Sequence, residues 1–167
     1  MEISIKARLL RGMIVFNLIV FVSCASNREL SKSETSQELS KAIDSSSWVF
    51  RVIQVKPQQG SNRPPNGIYD VSFQPGKLVV YLPYIGRAFS GADVLQGKSA
   101  LDFTSTNFDI QKEEVKDNKW TIVIQPKDQP QVQTMNFILF GNGSGSLNIT
   151  MTNRSPISYD GTVSKAK

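Results

Sequence analysis

Histidine is absent from this 167-residue chain, and cysteine occurs once, at position 24. Without histidine the chain lacks the usual general base and every Ser-His or Cys-His nucleophile arrangement. One cysteine allows neither an internal disulfide nor a thiolate zinc cage. We therefore expect no metal and no cofactor. Long hydrophobic runs are missing too. The most apolar stretch, Met13 to Val22, is interrupted by Asn17, whereas a membrane-spanning helix needs about 20 apolar residues. The formal charge of +5 is modest. Part of it belongs to Lys6, Arg8 and Arg11 near the start, against Glu2 alone. Farther on, Lys112, Lys116 and Lys119 are mixed with Glu113, Glu114 and Asp117. A mixed-sign surface is not a phosphate-tracking stripe, and no nucleic-acid partner is expected.

The N-terminal residues have an order of their own. Lys6, Arg8 and Arg11 form a basic start, the apolar run follows, and Ser23-Cys24 closes it. That is the layout of an export signal with a small residue before the cut. A bacterial lipoprotein signal requires a thiol at the cut, because the thiol carries the lipid and its residue becomes the new N-terminus. The single cysteine of the chain stands there, in Phe21-Val22-Ser23-Cys24. We read residues 1–23 as a lipoprotein signal peptide and Cys24 as the lipidation site. Residues 24–33 are read as a polar tether, of which nine extended residues reach about 30 Å. Residues 34–167 are read as one domain, of a length that sustains its own core. The implied partner is a membrane, reached through lipidated Cys24. An envelope protein or glycan is the further partner considered.

Within the domain a short helix comes first. Thr35 and Glu38 have capping-box spacing, and Leu39, Ala42 and Ile43 share one face. Ser45-Ser46-Ser47 ends it. After Trp48 the period changes to two. Tyr69, Val71 and Phe73 alternate with polar residues, as do Leu78, Val80 and Leu82; Trp120, Ile122 and Ile124; and Leu147, Ile149 and Met151. Met135, Phe137 and Leu139 follow the same rule, and so do Ile157, Tyr159 and Val163. Alternation of this kind buries one face of an antiparallel sheet and wets the other. Gln74-Pro75-Gly76-Lys77, Lys116-Asp117-Asn118-Lys119 and Gly141-Asn142-Gly143-Ser144-Gly145 supply the turns. The predicted fold is all-β: an antiparallel meander of about eight or nine strands, forming a sandwich or open barrel after one short N-terminal helix.

Candidate chemistry is sparse. Gly141-Asn142-Gly143-Ser144-Gly145 has the composition of a phosphate loop, but the segment after it alternates like a strand instead of opening a helix. Asn148-Ile149-Thr150 and Asn153-Arg154-Ser155 match the glycosylation pattern, by chance in a bacterial lipoprotein. No acid sits in a motif, so a hydrolase built from two carboxylates ranks third. One stretch stands out: Tyr81-Leu82-Pro83-Tyr84-Ile85-Gly86-Arg87 crowds aromatics, a glycine and an arginine just past a strand. Arg87 offers a planar fork of donors that suits either a ligand or a fixed internal partner. We name Tyr81, Pro83, Tyr84, Gly86 and Arg87 as a candidate binding or structural motif. Tyr159 and Asp160 complete it, with Asp160 as the internal partner expected for Arg87.

Leu82-Pro83-Tyr84-Ile85-Gly86-Arg87-Ala88, then Leu101-Asp102-Phe103, Asn153-Arg154 and Ile157-Ser158-Tyr159-Asp160-Gly161, follow one another in an order that resembles a Bacteroidota envelope lipoprotein family of unknown function, domain-of-unknown-function family 4251. The resemblance spans roughly Trp48 to Val163. It implies an envelope lipoprotein and brings no activity with it. Ala25-Ser26-Asn27-Arg28-Glu29 lacks the acidic cluster that marks surface-exported relatives. The expected location is the outer membrane facing the periplasm, with surface display as the alternative. The expected role is non-catalytic, in binding or structure. The alternative is a β-barrel-like pocket for a small apolar or sugar ligand.

Overall fold

The first strand of the sheet pairs with the last. In the computed structural model, which describes residues 36–89 and 99–166, helix α1 covers residues 36–44. Nine strands follow among the described residues: β1 Trp48–Pro57, β2 Asp70–Gln74, β3 Lys77–Tyr81, β4 Asp102–Ser105, β5 Phe108–Lys116, β6 Lys119–Pro126, β7 Val132–Phe140, β8 Ser144–Met151 and β9 Ile157–Lys165. The signal segment, Cys24, the tether and the Thr35 cap lie outside the described residues.

All nine strands are antiparallel and form one sheet, ordered β4-β3-β2-β1-β9-β8-β7-β6-β5. Two meanders, β1 to β4 and β5 to β9, therefore meet at the β1–β9 ladder. The sheet curls into a half-barrel. Phe73 of β2 and Phe108 of edge strand β5 are far apart in strand order, yet their rings lie 5.6 Å apart. Trp48 and Phe50 of β1 both meet Phe137 of β7 edge-on, at 5.0 and 5.8 Å. The predicted core residues Phe73, Val80, Trp120, Ile122, Phe137, Leu147 and Ile149 are all buried in this interior. All-β, antiparallel, with about eight or nine strands and one preceding helix, is what the sequence implied. An open barrel describes it better than a sandwich.

Local chemistry explains most elements. Leu39, Ala42 and Ile43 bury the inner face of α1 in the core. The helix ends in a Schellman pattern, with Ser47 N–H on the Ala42 carbonyl at 2.8 Å and Ser46 N–H on that of Ile43 at 3.1 Å. Ser46 takes the left-handed conformation there, at φ 55°. Gly76 follows Pro75 with φ +73°, as the second centre of the β2–β3 turn.

Two features were not legible as patterns. Strand β1 carries a bulge between Val52 and Gln54 against β9. The extra residue, Ile53, turns out to solvent at 57% exposure, while Val52 and Val55 both point inward. Opposite, Gly145 pairs with Gly161, and a side chain at Gly161 would strike the Arg51 carbonyl and the Phe50 ring. Strand β5 shows no alternation because beyond Phe108 every residue is exposed.

Strands β4 and β5 are the two sheet edges, yet only Thr106 and Asn107 separate them. Asp128 holds this joint, accepting from the Ser105 hydroxyl at 2.5 Å and from the Thr106 and Asn107 amides at 3.0 and 3.3 Å. The Ser105 hydroxyl first, then those amides, holds the Asp128 carboxyl below the usual carboxylate range.

Phe137 lies under both β1 aromatics, so Phe137→Ala should cost about 3–5 kcal/mol in chemical denaturation. Val115→Ser on the exposed edge strand should stay within about 0.5 kcal/mol. Equal losses for the two variants would contradict the placement of the core.

Candidate functional site

Strand direction separates the two ends of the sheet. The tight turns after β2, β5 and β7 lie at one end, where α1 joins through Ser36 Oγ to Asn118 Oδ1 at 2.7 Å. The longer connections, described over 58–69, 82–89 and 99–101, lie at the other end. There the polypeptide surrounds a cleft of about 720 Å³, within the ~300–1,000 Å³ typical of small-molecule sites.

Three segments build it. In the first, Arg63 folds back onto β1, exchanging backbone hydrogen bonds with Val55 at 2.8 and 3.0 Å. This places Pro64, Pro65 and Asn66 on the rim. Tyr69 is fixed by its carbonyl, which accepts from Val52 N–H at 3.0 Å, and its hydroxyl donates to Asn66 Oδ1 at 2.9 Å. In the second segment, Tyr81 closes β3 and stacks on Tyr69, with centroids 5.0 Å apart and planes 29° apart. Tyr81 is 48% exposed, a large ring face left to solvent at the cleft wall.

Pro83 then leaves the ladder, and tyrosines instead of ladder bonds hold the chain. The Tyr159 hydroxyl donates to the Pro83 carbonyl at 2.8 Å. The Tyr84 hydroxyl lies 2.9 Å from the Ser155 carbonyl and 3.1 Å from that of Arg87, a donor shared between them. Burial pushes the Tyr159 phenol well above its ordinary range, and neighbouring Tyr84 adds to the shift. Burial also raises Tyr84, against the Ser155 hydrogen bond and the Arg154 charge. Both phenols are therefore neutral donors at physiological pH.

The third segment completes the wall. Ser155 N–H donates to the Arg87 carbonyl at 2.9 Å, and Phe89 N–H to that of Asn153 at 2.8 Å. Ala88 and Arg154 form an isolated bridge. This seats the Arg154 guanidinium 5.3 Å above the Tyr84 ring, a cation–π arrangement. Gly86 gives the bend its room, since a β-carbon there would strike the Tyr84 hydroxyl.

Of the residues singled out from sequence, Tyr81, Pro83 and Tyr84 line the cleft. Gly86 and Tyr159 shape it from behind. The expected Arg87–Asp160 pair does not form. Asp160 accepts from Lys56 across the β1–β9 ladder, at 2.9 and 3.1 Å. It lies in a second, smaller depression of about 470 Å³ beside Asn148 and Ser158. Arg87 acts through its backbone, and its exposed side chain has no ion-pair partner among the described residues. Sequence reasoning missed Arg63, Tyr69 and Asp102 as lining residues. The one local signal was the turn-forming Arg63-Pro64-Pro65-Asn66-Gly67 run. Among the described residues, no cluster of three or more acids, histidines or cysteines could hold a metal.

Residues 31–163 match the family described as Domain of unknown function (DUF4251). The chain belongs to the DUF4251 family. A crystal structure of a DUF4251 family protein from Bacteroides eggerthii DSM 20697 is similar to it, with a TM-score of 0.57 at 13% identity. The similarity covers 83% of this chain and 92% of that one, and at such identity it speaks for the DUF4251 fold alone. No curated protein matches the chain.

If the tyrosines hold the cleft wall, Tyr159→Phe should cost about 1–3 kcal/mol, because the Pro83 carbonyl loses its buried donor. Arg87→Lys should leave stability within about 0.5 kcal/mol. A melting loss for Arg87→Lys as large as that for Tyr159→Phe would reinstate a structural role for the guanidinium.

Proposed function

We propose that this DUF4251 protein is a lipid-anchored envelope protein, held in the outer membrane by acylated Cys24 and facing the periplasm, with a non-catalytic binding role served by the cleft. The signal layout before Cys24 supports the anchor. The observation that carries the binding reading is the cleft wall: the exposed Tyr81 ring, stacked on Tyr69, stands in a recess whose backbone is tied down by tyrosine hydroxyls. Rigid aromatic surface in a pre-formed recess is what small-ligand sites use.

The sheet interior is filled by Trp48, Phe50, Phe137 and their neighbours, so the recess between loops is a better seat for a ligand than the barrel interior. A carboxylate hydrolase fits less well, because among the described residues Asp102 is the single acid lining the recess and glycosidases use a pair.

Two measurements test the proposal. Cys24→Ala should move the protein from the membrane fraction to the soluble one without changing its melting temperature. An unlipidated native N-terminus at any residue other than 24 would defeat the anchor. The native protein should carry a small molecule visible by mass spectrometry, or melt higher in fractionated envelope extract. A ligand at about 100 times its Kd adds roughly 2.7 kcal/mol. Retention of that shift in Tyr81→Ala would place the ligand elsewhere.

A further inference from the structure

Two arginines and one aspartate line the same recess. Arg63 and Arg154 line it with Asp102. Neither arginine is ion-paired with an acid among the described residues. Both are held by the fold: Arg63 by its backbone bonds to Val55, Arg154 by its bridge to Ala88 and its seat over Tyr84. Among the described residues, two cations against one acid make the lining net positive, suited to an anion. A guanidinium fork matches the two oxygens of a carboxylate.

The remaining surface is flat and only partly polar. Tyr69 and Tyr81 present stacked rings, and Pro64, Pro65 and Pro83 add three saturated ring faces. Such faces pack against the C–H side of a sugar ring, as amphipathic aromatics do at interfaces. Asn66 and Asp102 also line the recess, with hydrogen-bonding groups that suit sugar hydroxyls.

We propose that the recess binds a carboxylated sugar, presented as a unit of an acidic glycan. The inference rests on the cleft being a binding site and adds the class of its ligand. The apolar faces take the ring, Asp102 and Asn66 take hydroxyls, and Arg154 and Arg63 take the carboxylate.

Calorimetric titration of the full-length protein in detergent, with digalacturonate and the corresponding neutral disaccharide as probes, tests this. The acidic disaccharide should bind about tenfold tighter or more. Arg63→Gln and Arg154→Gln should each remove most of that preference while leaving the neutral sugar bound; the melting temperature should hold in Arg63→Gln and fall by no more than one lost cation–π contact in Arg154→Gln. Equal affinity for the two sugars, lost in Tyr81→Ala, would overturn the acidic class and leave the cleft as a binding site. A carboxylate-bearing tripeptide that binds as tightly as digalacturonate would overturn the sugar. No binding of any probe overturns the inference, whereas a co-purified ligand lost in Tyr81→Ala would still stand for the cleft.

Discussion

The β1–β9 ladder is the interaction on which the rest of the sheet depends. It runs from Trp48 against Lys165 to Pro57 against Ile157, and it joins two meanders that share no other ladder. Chain segments a hundred or more residues apart must meet to form it, so its entropic cost falls before its contacts reward it. Several local oddities are fitted to that ladder. The bulge at Ile53 keeps Val52 and Val55 facing inward. Gly161 leaves room for the Arg51 carbonyl and the Phe50 ring. Lys56 and Asp160 form an ion pair across it, half-exposed and worth at most about 1 kcal/mol.

Once the ladder exists, strand direction sorts the connections. Tight turns gather at the end covered by α1, and the long connections gather at the other, where loops can carry binding without disturbing the core. A long loop is mobile unless something fastens it. Here Tyr159, a core residue of β9, reaches from the ladder to the Pro83 carbonyl, and Tyr84 reaches back to Ser155. The core thereby extends into the cleft wall, and the exposed ring of Tyr81 is held on a rigid base.

Much of this could be read from residues in order. Strands β6 and β8 alternate without a fault from Trp120 to Ile124 and from Leu147 to Met151, because one face is buried throughout. The turn at Pro75-Gly76 and the apolar face of α1 were legible for equally local reasons. Strand β5 was not, since an edge strand with an open inner face has no reason to alternate. The bulge in β1 was hidden because one inserted residue shifts the period in mid-strand. The site was half legible. Tyr81, Pro83 and Tyr84 were conspicuous as a cluster, but the partner of Arg87 depended on register. Asp160 lies beside Gln54 and within reach of Lys56 only because of how β9 slides along β1. Arg63 and Arg154 meet in one recess through single backbone bridges, which leave no mark in composition or spacing.

Native-state hydrogen exchange with residue resolution tests the dependence on the β1–β9 ladder most directly. The account predicts that amides of β1 and β9 exchange only through global unfolding, with the β1–β4 and β5–β9 halves opening together at one free energy. Separate opening of the two halves at distinct free energies, with β9 exchanging ahead of β6 and β7, would contradict it.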